Sequence, residues 1–156
     1  MRRTDWTSVR RIFLEGIRAG NATFDTRAPD WEAWDRSHHQ RPRIVAETDD
    51  AVVGFAALSP ASARPAYEGV AEVSVYVAAN HWGKGIGRGL LTALVDAADA
   101  ARIWTLEAVM LAENDASIAL HQKCGFREVG RRERIGKLAG RWRDTVLYER
   151  RSPMIE

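Results

Sequence analysis

The chain has 156 residues, 46% of them hydrophobic, and this length and composition suit one domain with its own core. Its 23 basic and 21 acidic residues give a net charge of +2, which argues against a dedicated nucleic-acid-binding protein. The single cysteine excludes an internal disulfide framework, and no apolar run approaches the about 18 residues of a membrane span. The Arg2-Arg3 start lacks the apolar stretch of a signal peptide. We therefore expect one domain over residues 1–156, in the cytoplasm and without a membrane or nucleic-acid partner.

Helical and strand periodicities divide the first half of the chain into four elements. Val9, Ile12 and Ile17 recur at helical spacing and predict an amphipathic helix, which Gly20-Asn21 ends. Asp49-Asp50 separates two strand-like runs and predicts a hairpin turn. The four elements are a helix over residues 4–18, a short helix after Pro29 with Trp31 and Trp34 in the core or at an interface, and strands over 43–48 and 52–58.

The second half alternates strands with helices. A strand over 71–78 leads through a glycine-rich turn into a helix that ends near Ala101, and an apolar strand follows over 103–111. Asn114 or Asp115 caps the next helix, which Gly125 ends. Two final strands are expected over 126–135 and 141–149, with Gly136 and Gly140 around the turn between them. Together these elements predict a mixed sheet flanked by helices.

Glycine occupies every second position from Gly83 to Gly89, where the central strand gives way to a helix. Each glycine in a helix costs about 1 kcal/mol relative to alanine, so we expect close approach of the backbone to a ligand. The unpaired N–H groups and the helix dipole would face a phosphate, with Lys84 and Arg88 adding charge. A dinucleotide fingerprint needs glycine where Arg88 stands, and a P-loop needs serine or threonine after Gly83-Lys84. A strand-to-helix turn without a ligand is the alternative.

This loop resembles the acyl-CoA loop of the GCN5-related N-acetyltransferases, the GNAT superfamily. That pattern is Arg or Gln, two residues, Gly, one residue, then Gly or Ala; this chain has Trp82, Gly85 and Gly87 there, so Trp82 departs from it. The segment from Glu113 to Phe126 is similar to a second conserved block of the superfamily. Residues 20–24, 59–67, 72–77 and 140–144 are similar to the phosphinothricin acetyltransferase branch, which acetylates phosphinothricin, methionine sulfoximine and related amino acids.

The resemblance implies an α/β chain of the α+β type with the GNAT fold. That fold has a mixed, mostly antiparallel sheet of about six to seven strands, about four helices, and splayed central strands that hold acetyl-CoA. The backbone of the central strand would bond the pantetheine amides. Asn114 matches a residue that contacts the cofactor, and it could equally be a helix cap. The residues implied in acetyl-CoA binding are Val75, Val77, Trp82, Gly83, Lys84, Gly85, Ile86, Gly87, Arg88, Asn114 and Ser117.

Glu72 and His121 match positions that carry catalytic groups in the family. Glu72 would take the proton that the attacking amine must lose; an ordinary glutamate, with a pKa of about 4.3, needs burial or a relaying water for this role. A structural carboxylate that pairs with an arginine is the alternative. His121 stands where many members have a tyrosine that protonates the CoA thiolate, and a packed structural histidine is the alternative. We expect His38 and His39 to be surface residues, and we assign no metal ligand.

The substrate pocket implied by the resemblance includes Phe24, Arg64, Tyr67, Glu68 and Trp142. Related chains commonly have arginine where this chain has Glu68, so a substrate carboxylate would depend on Arg64 or another arginine. The three aromatic residues would form an apolar slot, with ordinary core packing as the alternative.

The expected function is direct transfer of acetyl from acetyl-CoA to the primary amine of a small amino-acid-like substrate, such as phosphinothricin or methionine sulfoximine or sulfone. The branch also implies a homodimer with substrate sites near the subunit interface. Acetylation of a protein N-terminus or lysine is one alternative function. A CoA-binding regulatory module without turnover is another.

Overall fold

The computed structural model describes residues 1–49 and 51–155, which form a six-stranded sheet and four α-helices. The helices are α1 (Trp6–Ala19), α2 (Trp31–Ser37), α3 (Ile86–Ala100) and α4 (Asp115–Lys123). The strands are β1 (Arg43–Thr48), β2 (Ala51–Pro60), β3 (Val70–Val77), β4 (Thr105–Leu111), β5 (Arg127–Leu138) and β6 (Arg141–Arg151). Within these ranges, no helix combines the length and apolar character needed to cross a membrane.

The strands lie in the order β1-β2-β3-β4-β6-β5. The central neighbours β3 and β4 run parallel, because α3 carries the chain from the end of one to the start of the other. The remaining neighbours are antiparallel. This arrangement confirms the predicted mixed, mostly antiparallel sheet flanked by helices.

The two faces of the sheet have separate hydrophobic clusters. On one face, Leu90, Leu91 and Leu94 of α3 are buried against the central strands. On the other face, Val9 and Ile12 of α1 are fully buried and share a cluster with Trp34 of α2. The helical spacing predicted for α1 and the core position predicted for Trp34 are therefore confirmed.

Most predicted boundaries moved by one to three residues, and the backbone shows the reason for two of these shifts. α1 begins at Trp6, because Arg3–Asp5 form a 3-10 turn instead of the first turn of the helix. β4 begins at Thr105, because the N–H of Ile103 bonds back to the carbonyl of Ala98 in α3 and is not available to the sheet.

The two hairpins bear on the predicted turns. In the β1–β2 hairpin Thr48 is paired with Ala51; of the predicted Asp49-Asp50 turn, Asp50 lies outside the described residues. The β5–β6 turn lies at Ala139-Gly140, where both residues have positive φ. Gly136 was expected beside this turn but lies inside β5, where the Phe24 ring comes within 2.6 Å of the position that a Cβ would take. Glycine is needed there to admit that ring.

Candidate active site

A split between the two central strands organises the site. β3 and β4 are paired at Val70–Thr105, Ala71–Leu106 and Glu72–Glu107, and the pairing stops there. Beyond this point β3 continues to Val77, still paired with β2, while β4 continues to Leu111, still paired with β6. The two strands therefore diverge, as the family resemblance implied.

The backbone edge of β3 faces this split. The carbonyl of Gly69 accepts hydrogen bonds from the β4 side, and the carbonyl of Val70 accepts one from Ala61 on the β2 side. Because backbone groups alternate along a strand, Val75 and Val77 direct their N–H and C=O groups into the split. An extended chain of amides can pair with this edge, which fits the predicted role of both valines.

A cavity of about 850 Å³ runs along the split. One end is lined by the glycine loop and by α4, and the other by the α1–α2 connection and by aromatic side chains of the sheet. Most of the residues predicted to bind the cofactor meet here: Val75, Val77, Trp82, Gly83, Gly85, Ile86, Gly87, Arg88, Asn114 and Ser117 line the cavity, as do Glu72 and His121. Lys84 is exposed on the same loop and does not line it.

The glycines of the loop are required for different structural reasons. Gly83 and Gly85 have φ of 75° and 80°, a left-handed conformation that favours glycine. A Cβ on Gly87 would come within 3.3 Å of Leu120, whereas one on Gly89 would meet nothing within 4 Å. Gly85 is the N-cap of α3, so the first N–H groups of this helix and its positive dipole end point out of the loop. This geometry suits a diphosphate, with Arg88 at the cavity wall.

Asn114 carries out the capping role that the sequence allowed. Its Oδ1 accepts a hydrogen bond from the N–H of Ser117 at 3.2 Å, which caps α4. Its Nδ2 donates to the carbonyl of Asn21, 3.1 Å away in the α1–α2 connection. The side chain therefore links the start of α4 to the segment that closes the other end of the cavity.

Glu72 is half-buried at the last position of β3 that pairs with β4, and it lines the cavity. Burial raises the pKa of its carboxyl group, the charge of Glu107 raises it further, and Arg132 acts in the opposite direction. Within the described residues Glu72 makes no ion pair, in contrast to the structural carboxylate that was its alternative reading. A carboxylate with a raised pKa is a better proton acceptor than an ordinary glutamate.

His121 is 4% exposed and lies on the cavity side of α4. Its Nδ1 is 2.8 Å from the carbonyl of Ser117; since a carbonyl cannot donate, Nδ1 carries a proton and donates it. Its Nε2 is buried without a partner among the described residues. Burial lowers the pKa of His121, so the imidazole is neutral at neutral pH and Nε2 is a proton acceptor. The histidine must take up a proton before it can act as an acid.

The acceptor end of the cavity includes residues that the sequence analysis missed. Tyr76 lies between Phe13 and Phe55, with ring centroids 5.0 and 5.3 Å away. Burial raises the pKa of Tyr76 to about 12, while Thr23 acts in the opposite direction. Thr23 and Asp25 line the same end, beside the predicted Phe24. The available signal was period-two alternation in β3, which puts Tyr76 on the same face as Glu72.

The remaining predicted substrate residues lie outside this cavity. Arg64, Tyr67 and Glu68 are in the connection between β2 and β3, where Tyr67 is 47% exposed. Trp142, near the start of β6, is 59% exposed, and its ring lies under the ammonium of Lys137. A single chain therefore brings Phe24 into the cavity but leaves these four residues on the surface.

His38 and His39 are not the surface residues that the sequence analysis expected. The ring of His38 stacks on Trp34 with centroids 4.2 Å apart, and its Nδ1–H donates to the carbonyl of Trp34 at 2.8 Å. The Nε2 of His39 is buried without a partner in the described part of the chain. Burial lowers the pKa of both histidines. Both histidines take part in the packing around α2, and no periodic pattern in the sequence predicts their burial.

The family model of the Acetyltransferase (GNAT) family matches residues 6–126, and the chain belongs to this family. It is thus an acetyl-CoA-dependent N-acetyltransferase. The phosphinothricin N-acetyltransferase of Alcaligenes faecalis is 34% identical over 160 residues, covering 96% of this chain and 79% of that protein. An L-methionine sulfoximine/L-methionine sulfone acetyltransferase of Salmonella typhimurium is 29% identical, covering 94% of this chain and 89% of that protein.

Solved structures agree with the fold. A ribosomal-protein-alanine N-acetyltransferase from Brucella melitensis superimposes with a TM-score of 0.90 and 32% identity, covering 97% of each chain. A phosphinothricin acetyltransferase from Sinorhizobium meliloti in complex with acetyl-CoA gives a TM-score of 0.87 and 31% identity, covering 95% of this chain and 83% of that one. The open backbone edge of β3 and the N-terminus of α3 fit acetyl-CoA as the cosubstrate.

Proposed function

We propose that this chain transfers acetyl directly from acetyl-CoA to the primary amine of a small amino-acid-like compound of the phosphinothricin or methionine sulfoximine and sulfone kind. The observation that carries the proposal is the position of Glu72. It lines the cavity at the point where β3 and β4 part, on the same face of β3 as Tyr76. The names of the relatives support the substrate class.

The transfer requires three changes at the reacting atoms. The ammonium of the substrate gives a proton to Glu72, because only the free amine has a lone pair. The nitrogen then bonds to the thioester carbon while a β3 N–H polarises the carbonyl oxygen, and the nitrogen loses a second proton as the amide forms. The C–S bond breaks and the sulfur leaves as a thiolate, which must gain a proton. The sole cysteine, Cys124, does not line the cavity, which favours direct transfer over an acetylated cysteine intermediate.

We assign protonation of the CoA thiolate to His121. His121 lines the cavity, and its buried Nε2, which has no partner among the described residues, can accept the second proton released from the amine. The resulting imidazolium would be buried, and it would pass the proton readily to a thiolate. His121 would then relay a proton in two steps. It would first accept the proton from the amine side and then donate it to the thiolate, which is the general-acid role expected from the sequence.

The substrate pocket and the oligomer belong to the same proposal. A homodimer would cover the exposed apolar side chains of the β5–β6 hairpin, which include Val129, Ile135 and Trp142. It could also bring Arg64, Tyr67, Glu68 and Trp142 to an acceptor site that one chain leaves without them. Each subunit would be one acetyltransferase domain over residues 1–156, acting in the cytoplasm. Sedimentation of the purified chain measures the oligomeric state directly.

The test is acetyl-CoA-dependent thiol release with a panel of amines, followed by mass spectrometry of the products. Phosphinothricin, methionine sulfoximine, methionine sulfone, common amino acids and polyamines represent the small amines. Acetylation of the sulfoximine or sulfone is the expected result, with weaker turnover of phosphinothricin if Glu68 faces the substrate. No product from any small amine would contradict the proposal.

A second candidate is acetylation of a peptide N-terminus. The observation that favours it is the close structural similarity to the ribosomal-protein-alanine N-acetyltransferase. A peptide with N-terminal alanine in the same panel separates the two candidates. Binding of acetyl-CoA without any acetylated product would indicate a regulatory module instead.

A further inference from the structure

Glu72 has an acidic neighbour on β4. Glu107 of β4 pairs with it at the last position before the strands diverge. Paired residues in adjacent strands lie about 4.8 Å apart and direct their side chains to the same face of the sheet. Both residues are half-buried, and Glu107 itself does not line the cavity. Glu72 therefore lines the cavity, and Glu107 is its neighbour on the adjacent strand, outside the cavity lining.

None of the cations in the described residues forms an ion pair with Glu107. On its other side Glu107 pairs with Glu149 of β6, and Glu149 is neutralised by an ion pair with Arg127 of β5. On the β2 side, Glu72 pairs with the uncharged Ser59. Neither Glu72 nor Glu107 accepts an ion pair within residues 1–49 and 51–155.

Three other ionisable groups act near Glu72. Arg132 of β5 opposes the effect of Glu107, and its Nε lies 3.4 Å from the hydroxyl of Thr145. Tyr76 of β3 is neutral at physiological pH, because its pKa is raised to about 12. Asp25 of the α1–α2 connection adds negative charge at the Tyr76 hydroxyl. Glu107 and Arg132 therefore act on Glu72 with opposite signs, whereas Asp25 acts at Tyr76.

We propose that Glu107 is a positioning residue for acetyl transfer: its negative charge behind Glu72 strengthens the hold of Glu72 on the proton taken from the substrate amine. This inference rests on the role given to Glu72 in the proposed function. Like charges this close disfavour double ionisation, and the raised pKa of Glu72 agrees in direction. A glutamate prepared in this way accepts a proton from an ammonium more readily than one in water does.

The closing experiment reads the protonation of Glu72 without turnover. The side-chain carboxyl carbons of ¹³C-labelled protein are titrated by NMR, and the Glu72 signal is identified by its loss in Glu72→Gln. The titration is repeated for Glu107→Gln, which removes the charge, and for Glu107→Asp, which keeps it. Glu47→Gln makes the same chemical change on the exposed edge strand β1 and serves as the matched control. Circular dichroism checks that each variant is folded.

We expect Glu72 to titrate at lower pH in Glu107→Gln and near the wild-type pH in Glu107→Asp and Glu47→Gln. The acid limb of the kcat/KM profile should shift to lower pH in the same variant, so that Glu107→Gln keeps a larger share of its plateau activity on the acid side. An unmoved Glu72 titration in Glu107→Gln would overturn the role of Glu107. Absence of turnover with every amine would contradict the proposed function instead, and the NMR titration separates the two failures.

Discussion

The indole nitrogen of Trp82 donates a hydrogen bond to the carbonyl of Val77 over 2.8 Å. This contact ties the start of the glycine loop to the end of the strand that borders the split. Trp82 stands where the superfamily pattern has arginine or glutamine, and its ring is 58% exposed. A carbonyl oxygen has two lone pairs, so Val77 can accept this bond and still pair with an amide of the cosubstrate.

We therefore expect Trp82→Phe to raise the KM for acetyl-CoA by about two- to tenfold, with little change in kcat, because one hydrogen bond worth about 0.5–1.5 kcal/mol is lost. Trp82→Gln restores a side-chain N–H donor and is the matched control. Steady-state kinetics at saturating amine measures both constants. Tighter binding by Trp82→Phe would show instead that the indole competes with the cosubstrate for Val77.

Two substitutions of Asn114 can separate its capping of α4 from its positioning of the α1–α2 connection. Asn114→Ser keeps a good N-cap for α4 but loses the donation to Asn21, while Asn114→Ala loses both contacts. We expect both variants to raise the KM for the amine by several-fold, because the segment that closes the acceptor end is released. Only Asn114→Ala should lose about 1 kcal/mol in the free energy of unfolding, measured by urea denaturation. A wild-type amine KM in Asn114→Ser would remove the positioning role.

Gly16 and Tyr76 are in contact across the α1–β3 interface. A Cβ on Gly16 would lie 2.7 Å from the Tyr76 ring, which Phe13 and Phe55 hold in place. Gly16→Ala should therefore lose about 1–3 kcal/mol of stability despite the better helix propensity of alanine. It should also raise the KM for the amine, because the displaced ring lines the acceptor end. Gly89→Ala has free space around its new methyl group and should gain up to about 1 kcal/mol, which thermal unfolding can compare directly.

Local patterns predicted what depends on neighbours in the chain. The positions of the glycine loop, β3 and α4 followed from period-two alternation, from Gly83 and Gly85 and from the Asn114 cap, all of which act within a few residues. The pairing of Glu72 with Glu107 depends on the register between two strands separated by α3. That register is set by packing across the sheet, so an acid within the apolar run of β4 gave no sign of its partner.

The same limit explains the histidines and the surface aromatics. His38 and His39 are half-buried in the packing at the end of α2, and neither has a periodic position that would reveal this. Gly136 looked like a turn glycine from its place between two strands, but it is needed for the Phe24 ring. Phe24 itself reaches the site because Asn114 and Arg143 bind the carbonyls of Asn21 and Gly20. These are long-range contacts that only the folded chain brings together.

One buried and two half-buried histidines predict a loss of stability in mild acid. Burial lowers the pKa of His38, His39 and His121 in the folded chain below the value of about 6.5 that the unfolded chain has. The unfolded state therefore binds more protons as the pH falls. Their stabilising contribution is complete above about pH 6.5 and is lost as the pH falls toward the folded values.

We expect the Tm to fall between pH 7 and pH 5, and the fall to be smaller in His39→Leu, which removes a buried titrating group that makes no side-chain hydrogen bond in the described chain. Differential scanning calorimetry across this range measures the slope. A pH dependence of His39→Leu that runs parallel to that of the wild type would contradict the assignment.

Glu72 should show the opposite linkage, together with a loss of activity. Its folded pKa is raised, so its favourable contribution is present below the unfolded value of about 4.3 and is lost as the pH rises through the folded value. Ionised Glu72 is therefore a cost to folding at neutral pH, and Glu72→Gln should raise the Tm at pH 7 by about 1–4 °C.

The same substitution removes the proposed base, so kcat should fall by about a hundredfold or more at pH 7. Both differences from the wild type should shrink as the pH falls, since wild-type Glu72 becomes protonated and resembles glutamine. The binding of acetyl-CoA, measured by calorimetry, should not change, because Glu72 lies on β3 where β3 and β4 part and is not in the glycine loop that would hold the diphosphate. A variant with a higher Tm and full turnover would leave Glu72 as a strained structural carboxylate and move the search for the base to His121.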